Sequence, residues 1–139
     1  MARATAIYDA DCGFCKFSLA LLLSWDRRRK GRGALRPLPL GTAEADRLLA
    51  GLTPEQRNSS WHLVDESGRR NSAGAALAPA LTLLPGGRLP AALVARMPHL
   101  IERGYRRVVD HRGLLGRFVP DAARRWADRV IAAHGGRGA

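Results

Sequence analysis

The sequence has only two cysteines, few aromatic residues and no apolar run long enough to cross a membrane. Its most apolar stretch, from Phe14 to Trp25, contains Lys16 and falls well short of the roughly 20 apolar residues that a bilayer-spanning helix requires. A secretory signal is not expected either, because acidic residues precede this stretch where such a signal carries positive charge. We therefore predict a cytoplasmic chain in which the leucine-rich stretch forms a buried helix.

Acidic residues are also scarce, 12 against 23 basic ones, and the formal net charge is +11. So basic a chain raises the question of nucleic acid or an anionic membrane as a partner. The basic residues, almost all arginine, are scattered from Arg3 to Arg137, and the densest run (26–36) follows the predicted helix, where cations complement the helix dipole. We interpret them as a solvated surface and expect no nucleic acid. A basic module that binds an acidic partner or nucleic acid is the alternative.

The 139 residues, 46% of them hydrophobic, suffice for one domain with a buried core. Hydrophobic periodicity predicts an α/β order, strand, helix, strand, helix, hairpin, and then an all-helical remainder. The predicted strands are residues 5–9, 34–40, 61–65 and 69–72, and the predicted helices before the hairpin are residues 13–29 and 42–49. Pro37 and Pro39 confine the second strand to a sheet edge or break it. Trp25, Trp61 and Trp126 are interpreted as core or core-edge residues.

The two cysteines lie three residues apart, directly after the first predicted strand. On a helix, positions i and i+3 have Cα atoms about 5 Å apart, inside the disulfide range of about 4.4 to 6.8 Å. If Cys12 begins the helix, its sulfur faces free backbone N–H groups, which stabilise the reactive thiolate. This spacing predicts a redox pair in which Cys12 is the nucleophile and Cys15 the resolving thiol.

Two carboxylates, Asp9 and Asp11, precede the pair. A carboxylate about 6 Å from a sulfur costs the thiolate about 3 kcal/mol at an effective dielectric of about 20, which is as much as a helix terminus contributes or more. A mildly acidic nucleophile favours a reductant over a strong oxidant. We predict that Asp9 accepts the proton of Cys15 when that thiol attacks. The alternative is that Asp9 or Asp11 only caps the helix.

Two other interpretations of the cysteines are a metal site and inert buried thiols. A zinc site needs four ligands, and no second C-x-x-C motif exists. The histidines show no ligand-pair spacing on one helical turn; they are His62, His99, His111 and His134. We therefore favour redox chemistry without a metal or other cofactor.

The stretch YDADCGFC resembles the hallmark of the DCC family, small proteins predicted to be thiol-disulfide oxidoreductases with a thioredoxin-like fold. The matching positions are Asp9, Asp11, Cys12, Gly13 and Cys15, while Ala10 replaces the usual glycine. A weaker match lies at Tyr105, Arg112 and Gly116. Those residues either pack the C-terminal helices onto the redox domain or mark a binding groove, and the sequence leaves both open.

The resemblance implies a thioredoxin-like mixed sheet flanked by helices, in one structural unit. Residues 1–88 would form the redox domain and residues 89–139 a helical C-terminal extension packed on it. A cis-proline that thioredoxin-like proteins place before the third strand is missing, because Asn58, Ser59 and Ser60 precede Trp61.

We predict a protein-disulfide reductase that acts on a disulfide-containing protein or a small thiol substrate. Ser60 offers backbone groups to that substrate, and Gly13 and Phe14 lie at the helix mouth. For Phe14, packing inside the domain is an equal alternative. A third possible function is that the thiols carry sulfur or modify one dedicated substrate.

Overall fold

The computed structural model describes residues 4–26 and 34–135, which form a mixed four-stranded sheet covered by helices. The strands are β1 (Ala4–Tyr8), β2 (Leu35–Pro39), β3 (His62–Asp65) and β4 (Arg70–Ser72). The helices are α1 (Gly13–Asp26), α2 (Ala43–Leu48), α3 (Pro54–Asn58), α4 (Leu77–Leu83), α5 (Arg88–Ala95), α6 (Pro98–Asp110), α7 (Arg112–Arg117) and α8 (Asp121–Gly135), with a 3₁₀ turn at Ala73–Ala76. Most of the predicted basic run after α1 lies outside the described residues.

The strand order in the sheet is β2-β1-β3-β4. β1 and β2 are parallel, whereas β3 is antiparallel to β1 and forms a hairpin with β4. Because β2 has β1 as its sheet partner and an open edge on the other side, it tolerates Pro37 and Pro39, which cannot donate to a ladder. The parallel crossover followed by an antiparallel hairpin confirms the predicted α/β class, and it is consistent with a thioredoxin-like fold that has a helical C-terminus.

Alternation along β1 sends side chains into two separate cores. Ala4, Ala6 and Tyr8 are buried against α1, α4 and α8 on one face of the sheet. Ile7 points to the other face, where it packs with Leu38 and the buried residues of α2. The sheet is therefore covered on both faces, and β1 leads from its centre directly to the cysteines.

The two short helices α2 and α3 both begin at threonine caps. Thr42 caps α2 by accepting the N–H of Ala45, and Thr53 forms a capping box with Gln56 at α3. Pro54 occupies the first turn of α3, where a missing N–H costs nothing. These caps fix the segment that leads into β3, which lies beside β1.

The last helix, α8, runs beside α1 and completes the larger core. Ala127 and Val130 are buried there, and the ring of Trp126 meets that of Phe17 edge-on at a centroid distance of 6.0 Å. In contrast, α6 contains no buried residue, and its Leu100 is exposed. Within residues 4–26 and 34–135, no helix is long and apolar enough to cross a membrane.

Candidate redox site

Cys12 directly precedes α1 and takes the position of its N-terminal cap. Its carbonyl accepts the N–H of Lys16 at 3.0 Å, which closes the first helical turn. Its sulfur accepts the N–H of Cys15 at 3.2 Å, the bond that a capping oxygen normally makes. Both cysteines are half-buried free thiols. The structure thus places the Cys12 sulfur at the positively polarised end of a 14-residue helix, facing the residue that carries the second thiol.

Asp9 shapes the turn between β1 and α1. Its Oδ1 accepts the N–H of Asp11 at 2.9 Å, and its carbonyl accepts the N–H of Cys12 at 3.3 Å. This Asx-type turn holds the loop in place before the helix begins. Asp11 is exposed. The alternative that Asp9 or Asp11 caps α1 is wrong, because Cys12 itself provides the cap.

The two thiols differ in their surroundings. Burial raises the pKa of Cys15 to about 12, and the hydrogen bond with Cys12 and the negative charges of Cys12 and Asp9 act in the same direction. The positive charge of Arg112 opposes them by lowering the pKa of Cys15. Cys15 is therefore a protonated thiol at neutral pH and needs help to become a nucleophile.

The predicted substrate contacts lie at two places near the pair. Gly13 adjoins the side chain of Arg124, since a Cβ at Gly13 would lie 3.4 Å from its Nε. The backbone nitrogen of Phe14 lies 3.8 Å from where a Cβ of Gly116 would be, so α7 covers this side of the helix mouth. Ser60 is half-buried in the segment between α3 and β3, and the described residues contain no cis peptide bond.

Tyr105 and Arg112 both attach the C-terminal helices to the segment 58–61. The Tyr105 hydroxyl oxygen accepts the N–H of Trp61 at 3.1 Å, and Arg112 Nη1 donates to the carbonyl of Asn58 at 3.3 Å. Both side chains are electrostatically coupled to Cys15. The first interpretation of the Tyr105 and Arg112 motif is therefore seen directly: these residues pack α6 and α7 onto the segment that leads into β3.

Sequence reasoning missed Arg124, which lies on α8 and reaches the mouth of α1. Its guanidinium donates to the carbonyl of Gly116 and covers Gly13. A second link nearby joins Lys16 to Asp128 at 3.0 Å. No signal could have singled out Arg124, because it is one arginine among many on an amphipathic helix.

No metal centre is formed by the described part of the chain. Nowhere in it do three or more His, Cys, Asp or Glu side chains come close enough to hold an ion. His62 is engaged by Ser72 Oγ at 2.6 Å and by the Arg57 carbonyl at 3.0 Å, which are structural contacts.

One comparison with known proteins finds a match over most of the chain. A family model described as DCC1-like thiol-disulfide oxidoreductase matches residues 6–118, most of the chain. The matched range contains both cysteines together with Tyr105 and Arg112 and ends before α8. No curated protein and no solved structure matches the chain.

Proposed function

Because this chain belongs to the DCC1-like thiol-disulfide oxidoreductase family, we propose that it reduces disulfides with Cys12 as the nucleophile and Cys15 as the resolving thiol. The observation that carries this proposal is the 3.2 Å contact between the Cys15 N–H and the Cys12 sulfur at the start of α1. A backbone donor aimed at a sulfur favours its thiolate, the species that attacks disulfides.

The asymmetry between the thiols supports this assignment of roles. Cys12 receives a backbone hydrogen bond and the positive end of the α1 dipole, whereas burial raises the pKa of Cys15 to about 12. At neutral pH Cys15 stays protonated and therefore does not compete with Cys12 for the substrate disulfide. This order is what a two-step exchange requires.

The proposed chemistry uses two substitutions at sulfur. In the first, the Cys12 thiolate attacks one sulfur of the substrate disulfide, forms a mixed disulfide and expels the other substrate sulfur as a thiolate, which takes up a proton. In the second, Cys15 loses its proton and attacks the Cys12 sulfur. The Cys12–Cys15 bond forms, the second substrate thiol leaves, and two electrons have passed to the substrate. A dithiol donor must then reduce the protein.

Asp9 and Asp11 complete the proposed catalytic set. The charge of Asp9 raises the pKa of Cys15, and we assign Asp9 the role of accepting the proton of that thiol. We assign Asp11, which is exposed in the same turn, the role of adding negative charge beside Cys12. Negative charge disfavours the dithiolate state and so favours a reducing pair. A reducing compartment such as the cytoplasm suits this direction.

The substrate would approach the helix mouth. Gly13 and Phe14 lie there, and Ser60 belongs to the segment that leads into β3. We propose these three residues as its contacts, and either a disulfide-containing protein or a small disulfide as its class. Arg124, which covers Gly13, places a positive charge at the same mouth.

Trapping of the mixed disulfide tests the proposal. The Cys15→Ser variant should accumulate a covalent adduct with oxidised glutathione or with an insulin-type disulfide, detected by mass spectrometry. The Cys12→Ser variant, matched in size and chemistry, should form none and should lose turnover. An adduct on Cys15 in the Cys12→Ser variant, or a wild type that reduces no disulfide, would refute the assignment. Equilibration with defined thiol–disulfide buffers then gives the reduction potential and the direction of electron flow.

A further inference from the structure

The guanidinium of Arg124 lies against the residue that follows the proposed nucleophile. Its Nε, Cζ and Nη2 atoms are 3.4, 3.6 and 3.8 Å from the position that a Cβ of Gly13 would take, which is van der Waals distance. Because Gly13 has no side chain, the guanidinium lies directly over the backbone next to Cys12. A long side chain at position 13 would compete with Arg124 for this space.

The position of Arg124 is fixed by its helix and by one hydrogen bond. α8 packs along α1, where the ring of Trp126 meets that of Phe17, and this brings Arg124 to the start of α1. The Nη2 group of Arg124 donates to the carbonyl of Gly116 on α7. A guanidinium has several N–H donors in a planar fork, so most of them remain for another acceptor.

The acidic residue best placed to neutralise Arg124 is engaged elsewhere. Asp128 lies one turn further along α8, at the i+4 spacing at which opposite charges pair on a helix. Its carboxylate instead binds Lys16 Nζ at 3.0 Å. Within residues 4–26 and 34–135, Arg124 takes part in no ion pair. Its charge is therefore available at the mouth of the redox site.

Carboxylates of the protein lie close to the same mouth. Asp9 and Asp11 form the turn that leads into α1, and Asp11 is exposed. Without a counter-charge, these two acids would repel a substrate that carries a carboxylate of its own. Arg124 supplies that counter-charge, and its forked donors match the geometry of a carboxylate.

We propose that Arg124 is a substrate-binding residue that selects disulfides carrying a carboxylate close to the sulfur atoms. The inference rests on the proposed function and names the substrate class of the same site. Glutathione disulfide has such a carboxylate, and so does a peptide disulfide in which an acidic residue adjoins the cysteine. While Arg124 binds the carboxylate, the Cys12 thiolate attacks the near sulfur, the Cys12–sulfur bond forms, and the far sulfur leaves as a thiolate that takes up a proton. Since α8 lies beyond the matched residues 6–118, this selection comes from the last helix.

The Cys15→Ser variant isolates this first attack, because its mixed disulfide is not resolved. Acid quenching and mass spectrometry follow adduct formation on Cys12 with an excess of anionic glutathione disulfide, neutral 2-hydroxyethyl disulfide or cationic cystamine. Adding Arg124→Gln should slow the reaction of glutathione disulfide about three- to tenfold and change that of hydroxyethyl disulfide less than about twofold. Arg124→Glu should reverse the preference, so that cystamine reacts faster than it does with the parent. Both effects should shrink as salt is added.

Matched variants and a second pair of probes sharpen the test. Arg129→Gln removes the same charge from an exposed position further along α8 and should leave all three rates unchanged. Arg124→Lys keeps the charge without the fork and should restore part of the rate with glutathione disulfide. Peptide disulfides with blocked termini and either Glu or Gln beside the cysteine distinguish the two sources. If Arg124→Gln slows the Glu peptide as well, the substrate class includes acidic protein segments; if it slows glutathione disulfide alone, the substrate is a small molecule.

Failure of the selection and failure of the proposed function give different results. If no disulfide forms an adduct on Cys12 of the parent, the proposed function itself is overturned. Equal slowing of all three disulfides by Arg124→Gln would overturn only the selection, because loss of the Gly116 contact would then explain the effect. Equal slowing of glutathione disulfide by Arg124→Gln and Arg129→Gln would also overturn it, since general surface charge would suffice. Should Arg124→Gln not fold, Arg124→Lys decides: the ratio of the glutathione to the hydroxyethyl rate falls if the fork binds the carboxylate and stays constant if it does not.

Discussion

Asp26 is a fully buried carboxylate at the end of α1. Its replacement by asparagine tests how α1, β2 and α8 are joined. Its Oδ1 accepts the N–H of Ala34 at 2.8 Å, and its Oδ2 accepts the N–H of Leu35 at 3.1 Å. His134 Nε2 on α8 lies 3.2 Å from the same Oδ2. One side chain therefore connects α1, the start of β2 and the last turn of α8.

The expected loss of stability in Asp26→Asn follows from the number of hydrogen-bond acceptors on the side chain. Asparagine has one oxygen in place of two, so either orientation of its amide leaves the N–H of Ala34 or of Leu35 facing an NH₂ group. A buried donor without a partner costs about 1 to 3 kcal/mol, and a hydrogen bond to a charged group contributes about 1.5 to 3 kcal/mol. Since these effects overlap, we expect Asp26→Asn to lower the free energy of unfolding by about 2 to 4 kcal/mol at pH 7.

The pH dependence has a definite sign. Burial raises the pKa of Asp26, but the hydrogen bonds from His134, Leu35 and Ala34 outweigh it, so the folded-state pKa lies below its ordinary value. A carboxyl group with a depressed pKa contributes stability that is present above its unfolded pKa, about 3.9, and is lost as the pH falls through the folded value. The difference between wild type and Asp26→Asn should therefore be complete at pH 7 and shrink below about pH 4.

Urea unfolding followed by circular dichroism, at pH 7 and at pH 3, measures both quantities. The matched control is Asp46→Asn, which removes an exposed carboxylate 3.1 Å from Arg57 and should cost less than about 1 kcal/mol. If Asp26→Asn lowered the free energy of unfolding by no more than Asp46→Asn does, the three-way junction would be refuted. An undiminished difference at pH 3 would refute the role of its charge.

Three further predictions concern the turn after β4 and the buried histidine. Ala73 has a left-handed backbone with φ of 55°, so Ala73→Gly should stabilise the protein by up to about 1 kcal/mol in urea unfolding. Gly74→Ala should destabilise it by about 1 to 3 kcal/mol, because the new Cβ would lie 3.2 Å from the Glu102 Cα, whereas Gly104→Ala in the open middle of α6 should be neutral or stabilising. Burial lowers the pKa of His62, so unfolding free energies should fall as the pH drops below about 6.5, and His62→Gln should reduce that slope.

Each of these has a result that would contradict it. A destabilised Ala73→Gly variant would mean that the methyl group of Ala73 packs better than its backbone is strained. Equal stabilities for Gly74→Ala and Gly104→Ala would show that the contact between the 3₁₀ turn and α6 is not tight. If the free energy of unfolding changed equally between pH 5 and pH 6.5 in wild type and His62→Gln, the titration would belong to another group.

The parts of the fold that were predicted correctly depend on local patterns. The Cys12 and Cys15 spacing, the helix predicted over residues 42–49 and the edge strand with two prolines each involve a few neighbouring residues, whose geometry follows from helix rise and backbone chemistry. The hairpin from β3 to β4 is of the same kind.

The contacts that could not be predicted join residues far apart in the chain. Tyr105 and Trp61 are 44 positions apart, Arg112 and Asn58 are 54 apart, and neither pair leaves a periodic signal in the sequence. The family resemblance marked Tyr105 and Arg112 as a motif, but only the packing of α6 and α7 shows what they touch. The position of Cys12 at the start of α1, with its sulfur facing a free backbone N–H, was by contrast open to prediction, because it depends only on neighbouring residues.

The end of the family match at residue 118 is not the end of the folding unit. Beyond it, α8 buries Ala127 and Val130 against the sheet face that β1 shares with α1. It also runs along α1 in parallel, since Arg124 meets the start of α1 at Gly13 and His134 meets its end at Asp26. Without α8, this face of α1 would be open to water and the Asp26 carboxylate would lose its side-chain partner. The last helix therefore belongs to the framework that holds Cys12 at the head of α1, even though the thiols and the Tyr105 and Arg112 motif all lie before it.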